Sequence, residues 1–171
     1  MKRTLLACVL LVALLIAPAS GHRETTKLSA LVPGLDVVTT FAHDYGERLY
    51  KVNFEGEEYA PGEATEKILP LIDWKTRPDK LELAVAWVKV FALHGGQVIE
   101  EGDERLSGPE EAPRAEFLAD GTFRYTAWVV TMSGRNPGTL VFKKQVEISP
   151  DAVMTVVDLH TPLDRSSLPT H

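Results

Sequence analysis

The sequence contains a single cysteine, Cys8, which lies near the amino terminus inside an apolar segment. A disulfide needs two cysteines and a structural thiolate metal site usually needs several, so neither can form within this chain. The roughly 150 residues that follow the apolar segment are a typical size for one domain with its own hydrophobic core. The chain is therefore expected to fold without covalent cross-links.

Basic residues are also scarce. The chain has 18 Lys and Arg against 24 Asp and Glu, a formal net charge of −6, and loss of an amino-terminal leader containing Lys2 and Arg3 would make it more acidic. A surface of this charge disfavours nucleic acids and anionic membranes as partners.

Recognisable catalytic motifs are missing as well. The sequence has no Gly-x-Ser-x-Gly elbow, no phosphate-binding glycine loop and no His-Glu-x-x-His pair. The acidic stretch 100–116 lacks the ligand spacing and central glycine of a calcium-binding loop, so we interpret it as a solvated loop. The sequence predicts a protein that is not an enzyme.

One apolar run, Leu5 to Ala17, follows a positively charged start. It is shorter than the about 20 residues that a membrane-spanning helix needs, and it ends in small residues, as a secretory signal peptide does. We expect a signal peptide over residues 1–19, with a cut after Gly21 as the alternative. Lipid attachment at Cys8 is disfavoured because most of the apolar run comes after it. The mature protein is expected to be secreted or periplasmic, with no membrane span after processing.

The remaining sequence shows the alternation of apolar and polar residues that is typical of β-strands. A hairpin is predicted around Gly46, a second at Asp120-Gly121, and a turn at Ser149-Pro150-Asp151. Residues 81–93 form the longest predicted strand, with Leu81, Leu83 and Val85 on one face. Residues 62–74 could supply one or two helical turns, and less than about 15% helix is expected, well below the usual globular share.

These features together predict an all-β fold, an antiparallel immunoglobulin-like β-sandwich or small barrel of about eight strands. The predicted sandwich domain covers residues 27–160. Residues 161–171 are rich in proline and serine and are expected to be a loosely ordered tail.

The predicted cut sites place His22 close to a new amino terminus. After a cut behind Ala19, His22 is the third residue, and the amine, two backbone amides and the imidazole can offer four nitrogens in the square plane that copper(II) prefers. After a cut behind Gly21, the amine and imidazole of His22 itself can chelate the ion. The alternative is an idle histidine without a metal.

Asp158 and His160 are further candidate copper ligands. On an extended strand, residues two apart project from the same face about 6.5 to 7 Å apart. With His22 they would form a mixed nitrogen and oxygen site of the kind that copper(II) accepts. The alternative is that a buried strand simply becomes polar where it ends.

The segment GTFRYTAWVVTMSGRNPGTLVFKKQVEI, residues 121–148, resembles the final hairpin of the CopC-like family of periplasmic copper-binding proteins. This resemblance implies an immunoglobulin-like sandwich and copper(II) as the bound ion. The family's Asp and His ligands in the hairpin turn are replaced here by Ser133 and Arg135, so the resemblance supports the fold more than the ligands.

Two functions follow from the sequence. The first is a secreted or periplasmic binding module that takes up copper(II) through His22, Asp158 and His160. The second is a metal-free interaction or inhibitor domain that binds another extracytoplasmic protein. Trp74, Trp87, Trp128 and Tyr125 are candidate contact anchors for it, although core packing is favoured for Trp87 and Trp128.

Overall fold

A computed structural model describes residues 20–41, 48–93, 97–103, 106, 108–132 and 139–159. Three α-helices lie within these ranges: α1 (Ser20–Leu31), α2 (Pro61–Ile68) and α3 (Lys80–Phe91). The strands are β1 (Leu35–Phe41), β2 (Arg48–Phe54), β3 (Glu57–Tyr59), β4 (Gln97–Val98), β5 (Arg114–Phe117), β6 (Phe123–Met132), β7 (Thr139–Ile148) and β8 (Met154–Asp158). One 3-10 turn covers Pro109–Glu111 in the acidic loop.

The strands form two antiparallel sheets. Strands β1, β2 and β3 make a three-stranded meander in which Leu35 pairs with Phe54 and Val52 pairs with Tyr59. The second sheet has five strands in the order β4-β6-β7-β8, and β5 also pairs with β6. The prediction of a mostly β, antiparallel domain is confirmed. The turn predicted around Gly46 lies outside the described residues.

The strand predicted for residues 81–93 is wrong, because Lys80–Phe91 is the helix α3. Seven of its residues are buried, and they point in several directions around the helix axis: Leu83, Ala84, Ala86, Trp87, Val88, Val90 and Phe91. A helix that is apolar on most sides gives no clear 3.6-residue period in the sequence. Since the run has no such period, a helix and a strand look alike at this position.

One further expectation changes with α3. The segment after it, β4, pairs with β6 at Val129 and Val130. The helices have 12, 8 and 12 residues, so their share is higher than the limit of about 15% that the sequence suggested.

Helices α1 and α3 lie antiparallel to each other. Lys27 on α1 pairs with Glu82 at 3.0 Å, and Glu24 lies 3.6 Å from the ammonium of Lys89 near the end of α3. The main hydrophobic core joins these helices to one face of the five-stranded sheet and to β1 and β2. At its centre the indole N–H of Trp87 donates to the hydroxyl of Thr65 at 2.9 Å.

Candidate functional site

The structure places two of the three predicted copper ligands, His22 and Asp158, on separate elements. His22 belongs to the first turn of α1, and its side chain lies outside the part of the molecule that can be described. Asp158 ends β8, and its exposed carboxylate is 3.2 Å from the ammonium of Lys144. His160 lies outside the described residues.

His22 lies on α1, which packs along α3, and Asp158 lies on β8, the strand beside β7. Helix α3 starts with Lys80 over Phe117, beside the first residues of β6, and it reaches Glu24 of α1 with Lys89 near its end. Asp158 pairs with Lys144, which pairs in turn with Ala127 in the middle of β6. Within the described residues, no group of three or more His, Cys, Asp or Glu side chains is arranged to hold a metal ion.

All four candidate aromatic anchors lie in the hydrophobic interior. Trp87 is fully buried, and its ring centroid is 4.7 Å from that of Phe91. Trp128 belongs to a second apolar cluster on the opposite sheet face, where Lys143 lies 5.5 Å from its ring centroid. Tyr125 is 2% exposed and points into the main core. Core packing, favoured for Trp87 and Trp128, is what the structure shows.

Tyr125 lies beside a small charged cluster. Lys89 is 3.0 Å from Glu100 and 3.6 Å from Glu24, and most of the Lys89 side chain is buried. Burial raises the pKa of the Tyr125 hydroxyl, and the nearby carboxylates of Glu100 and Glu24 raise it further. The hydroxyl has no hydrogen-bond partner among the described residues. A buried hydroxyl without a hydrogen bond is expected to destabilise the core.

The fourth anchor, Trp74, lines a surface groove of about 350 Å³. One wall is the connection between α2 and α3, and the other is the turn between β7 and β8. We call this feature the Trp74 groove, and it is lined by Pro70, Asp73, Trp74, Lys75, Pro150, Asp151 and Ala152. Its volume falls within the range of about 300 to 1,000 Å³ that is typical of ligand sites.

The wall of the Trp74 groove that holds Trp74 is supported by aromatic packing. Trp74 is only 1% exposed, and its ring centroid is 5.9 Å from that of Phe117 on β5. Phe117 in turn packs on Phe123 of β6 at 5.3 Å. Packing of this kind fixes the position of the groove relative to the five-stranded sheet.

Two residues of the groove have left-handed backbone conformations. The φ angles are 44° at Asp73 and 60° at Ala152, and only one other described non-glycine residue, Glu55, has a positive φ. For alanine this conformation costs roughly 1 to 2 kcal/mol. The Ala152 turn is held by its N–H bond to the carbonyl of Ser149 at 3.0 Å, and Asp73 accepts a 2.8 Å bond from the Thr76 hydroxyl. Strained backbone of this kind is concentrated at functional sites.

Arg77 ties the same connection to the end of α1. Its guanidinium donates to the carbonyl of Leu31 at 2.8 Å and forms two bonds to Asp79, at 2.8 and 2.7 Å. The two bonds from Arg77 lower the pKa of the Asp79 carboxyl below its ordinary value. The connection that forms one wall of the groove is therefore anchored at both the core and the helix end.

Sequence reasoning did not find the groove. It identified the turn at Ser149-Pro150-Asp151 and the helix end near Pro70, but these are about eighty residues apart in the chain. The contact depends on the antiparallel order β6-β7-β8, which brings the β7–β8 turn next to the α2–α3 connection. Trp74 as a candidate anchor was the one signal that pointed to this place.

No protein-family model matches this chain, and comparisons with curated proteins and with solved structures give no match either. In the described residues, no helix is both long enough and apolar enough to span a bilayer.

Proposed function

We propose that the protein is a secreted or periplasmic binding module without enzymatic activity, and that it binds a partner protein at the Trp74 groove. The observation that carries this proposal is the groove itself, a concave site that is backed by the buried Trp74 and lined by the charged residues Asp73, Lys75 and Asp151. This corresponds to the metal-free interaction domain that the sequence offered as its second function.

The chemistry of the groove favours a cationic side chain with an apolar stem. Asp73 and Asp151 provide two carboxylates against the single ammonium of Lys75, and Pro70 and Pro150 provide apolar surface. An arginine combines a planar cation with a stem that packs on proline and aromatic rings. The net charge of −6 attracts such a partner at long range.

The proposal is tested with capped single amino acids, N-acetyl-arginine amide and N-acetyl-glutamate amide, followed through the indole N–H resonance of Trp74. The arginine derivative is expected to shift this resonance at millimolar concentration, and the glutamate derivative is not. Trp74→Phe assigns the resonance by removing it.

Asp73→Asn and Asp151→Asn are expected to weaken arginine binding by about two- to fivefold each, the range of an exposed ion pair. Asparagine tolerates the left-handed backbone of Asp73, so that change keeps the groove shape. Asp36→Asn on β1 is the matched control and should have no effect. Equal binding of both derivatives, or an equal loss in the Asp36 variant, would contradict the proposal.

We also propose copper(II) binding at the processed amino terminus as a second function, because either predicted cut leaves His22 and a free amine that can chelate the ion. Binding through His22 and the amine should weaken steeply below about pH 6.5, where imidazole becomes protonated. His22→Ala and a form that retains residues before Ser20 should both lose the ligand-field absorption of bound copper. Asp158 must leave Lys144 before it can join the site, so Asp158→Ala and His160→Ala should have smaller effects.

An immunoglobulin-like sandwich, the finer fold expectation, would place two sheets face to face. In this chain the main core joins one face of the five-stranded sheet to β1 and β2 and also to α1 and α3, so helices share the face that a second sheet covers in an immunoglobulin-like sandwich. The proposal therefore depends on the Trp74 groove and takes no support from the resemblance to the CopC-like family.

A further inference from the structure

We propose that the partner adds a β-strand to the edge of β8 and that this added strand leads its cationic side chain into the Trp74 groove. The inference rests on the proposed function, and it specifies the conformation of the partner: an extended segment of another protein with a basic residue at its carboxyl-terminal end.

Strand β8 forms one edge of the five-stranded sheet among the described residues. The N–H of Leu159 donates to the carbonyl of Lys143 at 2.8 Å, and that of Ser149 donates to the carbonyl of Val153 at 2.9 Å. Hydrogen-bonded pairs alternate along an antiparallel ladder, so these two bonds set the direction of every residue between them. The N–H and C=O groups of Met154, Val156 and Asp158 therefore point away from β7.

This edge carries little of the protection that natural sheets use. Strand β8 contains no lysine or proline, the residues that usually discourage pairing at an edge. Its apolar side chains are unusually open, with Val156 42% and Val157 46% exposed, and Val153 and Leu159 beside them. An added strand would reduce the exposure of these side chains. It would also form hydrogen bonds with the outward-facing main-chain groups of three residues.

The edge continues directly into the Trp74 groove. Pro150, Asp151 and Ala152 line the groove, and Met154 begins β8 two residues later. A strand antiparallel to β8 would start near Asp158 and move toward Met154. Its next residues would reach the groove after roughly 7 to 10 Å of extended chain. The orientation places the basic residue at the carboxyl-terminal end of the segment.

The charges favour a basic partner over a second copy of this chain. Asp151 stands at the groove end of the exposed edge and Asp73 adds a second carboxylate in the groove, while Asp158 at the other end pairs with Lys144. Two copies would each bring a net charge of −6 and the same acidic ends to the contact. A cationic segment instead gains ion pairs at the groove.

The probe is an acetylated and amidated peptide that alternates valine and threonine and ends in arginine, and its affinity is measured by calorimetry. One version is N-methylated on the alternate residues that face β8, and a matched version is N-methylated on the other residues. Only the first blocks main-chain hydrogen bonds to β8, so it should bind about tenfold or more weakly, while the second should bind like the parent.

The matched protein variants are Val156→Pro and Val156→Thr. Proline removes an N–H that points away from β7, a position at which edge strands accept it, and threonine keeps that N–H. Only Val156→Pro should lose the peptide. If Val156→Pro does not fold, the methylated peptides on the unaltered protein still decide the question.

Strand addition is overturned if both methylated peptides bind alike, if the parent peptide fails to bind at millimolar concentration, or if a folded Val156→Pro protein binds normally. Self-association that Val156→Pro abolishes would overturn the choice of partner. A different result would contradict the groove alone. In that case, replacing the peptide's arginine by glutamate would leave the affinity unchanged, while the two methylated peptides would still differ in affinity. Conversely, the peptide's affinity could depend on Asp151 and yet be the same for both methylated versions. That result would support the groove and rule out the added strand.

Discussion

At the scale of single residues, the clearest anomaly is the Tyr125 hydroxyl. A buried hydroxyl without a partner loses its hydrogen bonds to water and gains none in return, which costs roughly 1 to 3 kcal/mol. The neighbouring Glu24 and Glu100 carboxylates are engaged by Lys89. The aromatic ring of Tyr125 still contributes to the core, so the hydroxyl and the ring have opposite effects on stability.

Tyr125→Phe is therefore expected to raise the free energy of unfolding by up to about 1 to 3 kcal/mol, measured by urea denaturation. The matched control is Tyr59→Phe, which removes a hydroxyl that donates to Glu57 at 3.0 Å on the surface. That change should bring no gain. A loss of stability in Tyr125→Phe would show that the hydroxyl is satisfied in solution.

At the scale of elements, helix α3 determines how the core is built. On a strand, Leu81 and Leu83 would share one face, as the sequence interpretation had them. On the helix they point in different directions, and Leu83 is fully buried while Leu81 is 46% exposed. The same two residues therefore distinguish the helix from the predicted strand.

Leu83→Ala is expected to lower the free energy of unfolding by about 2 to 5 kcal/mol, because it removes buried side-chain volume. Leu81→Ala should cost less than about 1 kcal/mol, since an exposed leucine loses few contacts and alanine is a good helix former. Chemical denaturation of both variants measures the difference. Similar costs at the two positions would contradict the helix.

At the scale of the whole molecule, Arg77 joins α1 to the connection that forms one wall of the Trp74 groove. Asp79 holds Arg77 in place, and this pairing lowers the pKa of the Asp79 carboxyl. A carboxyl whose pKa is lower in the folded state contributes stability above its unfolded pKa of about 3.9, and it loses that contribution as the pH falls through the folded pKa.

Asp79→Asn should therefore lower the free energy of unfolding at neutral pH. The difference in this free energy between the variant and the unaltered protein should become smaller as the pH falls below about 4. Urea midpoints at neutral and acidic pH measure this change. Asp36→Asn, which alters a carboxyl on β1 with no ion pair among the described residues, should give no such pattern. A constant difference between Asp79→Asn and the unaltered protein at all pH values would argue against the pairing.

The sequence by itself determined the features that depend on composition and local pattern. One cysteine excluded a disulfide within the chain, and alternation with turn residues located β1, β2, β5, β6, β7 and β8. These features can be predicted from the sequence because each depends on residues close together in the chain.

Tertiary structure decided what depends on contacts between distant segments. Residues 80–91 form a helix because burial on several sides stabilises a helix that is apolar around most of its axis. The sequence shows no helical period there, so it does not predict this packing. The Trp74 groove formed because strand order brought Pro150 and Asp151 against Pro70 and Asp73. Likewise, only the pairing of β8 with β7 on one side left the main-chain groups of Val156 facing outward.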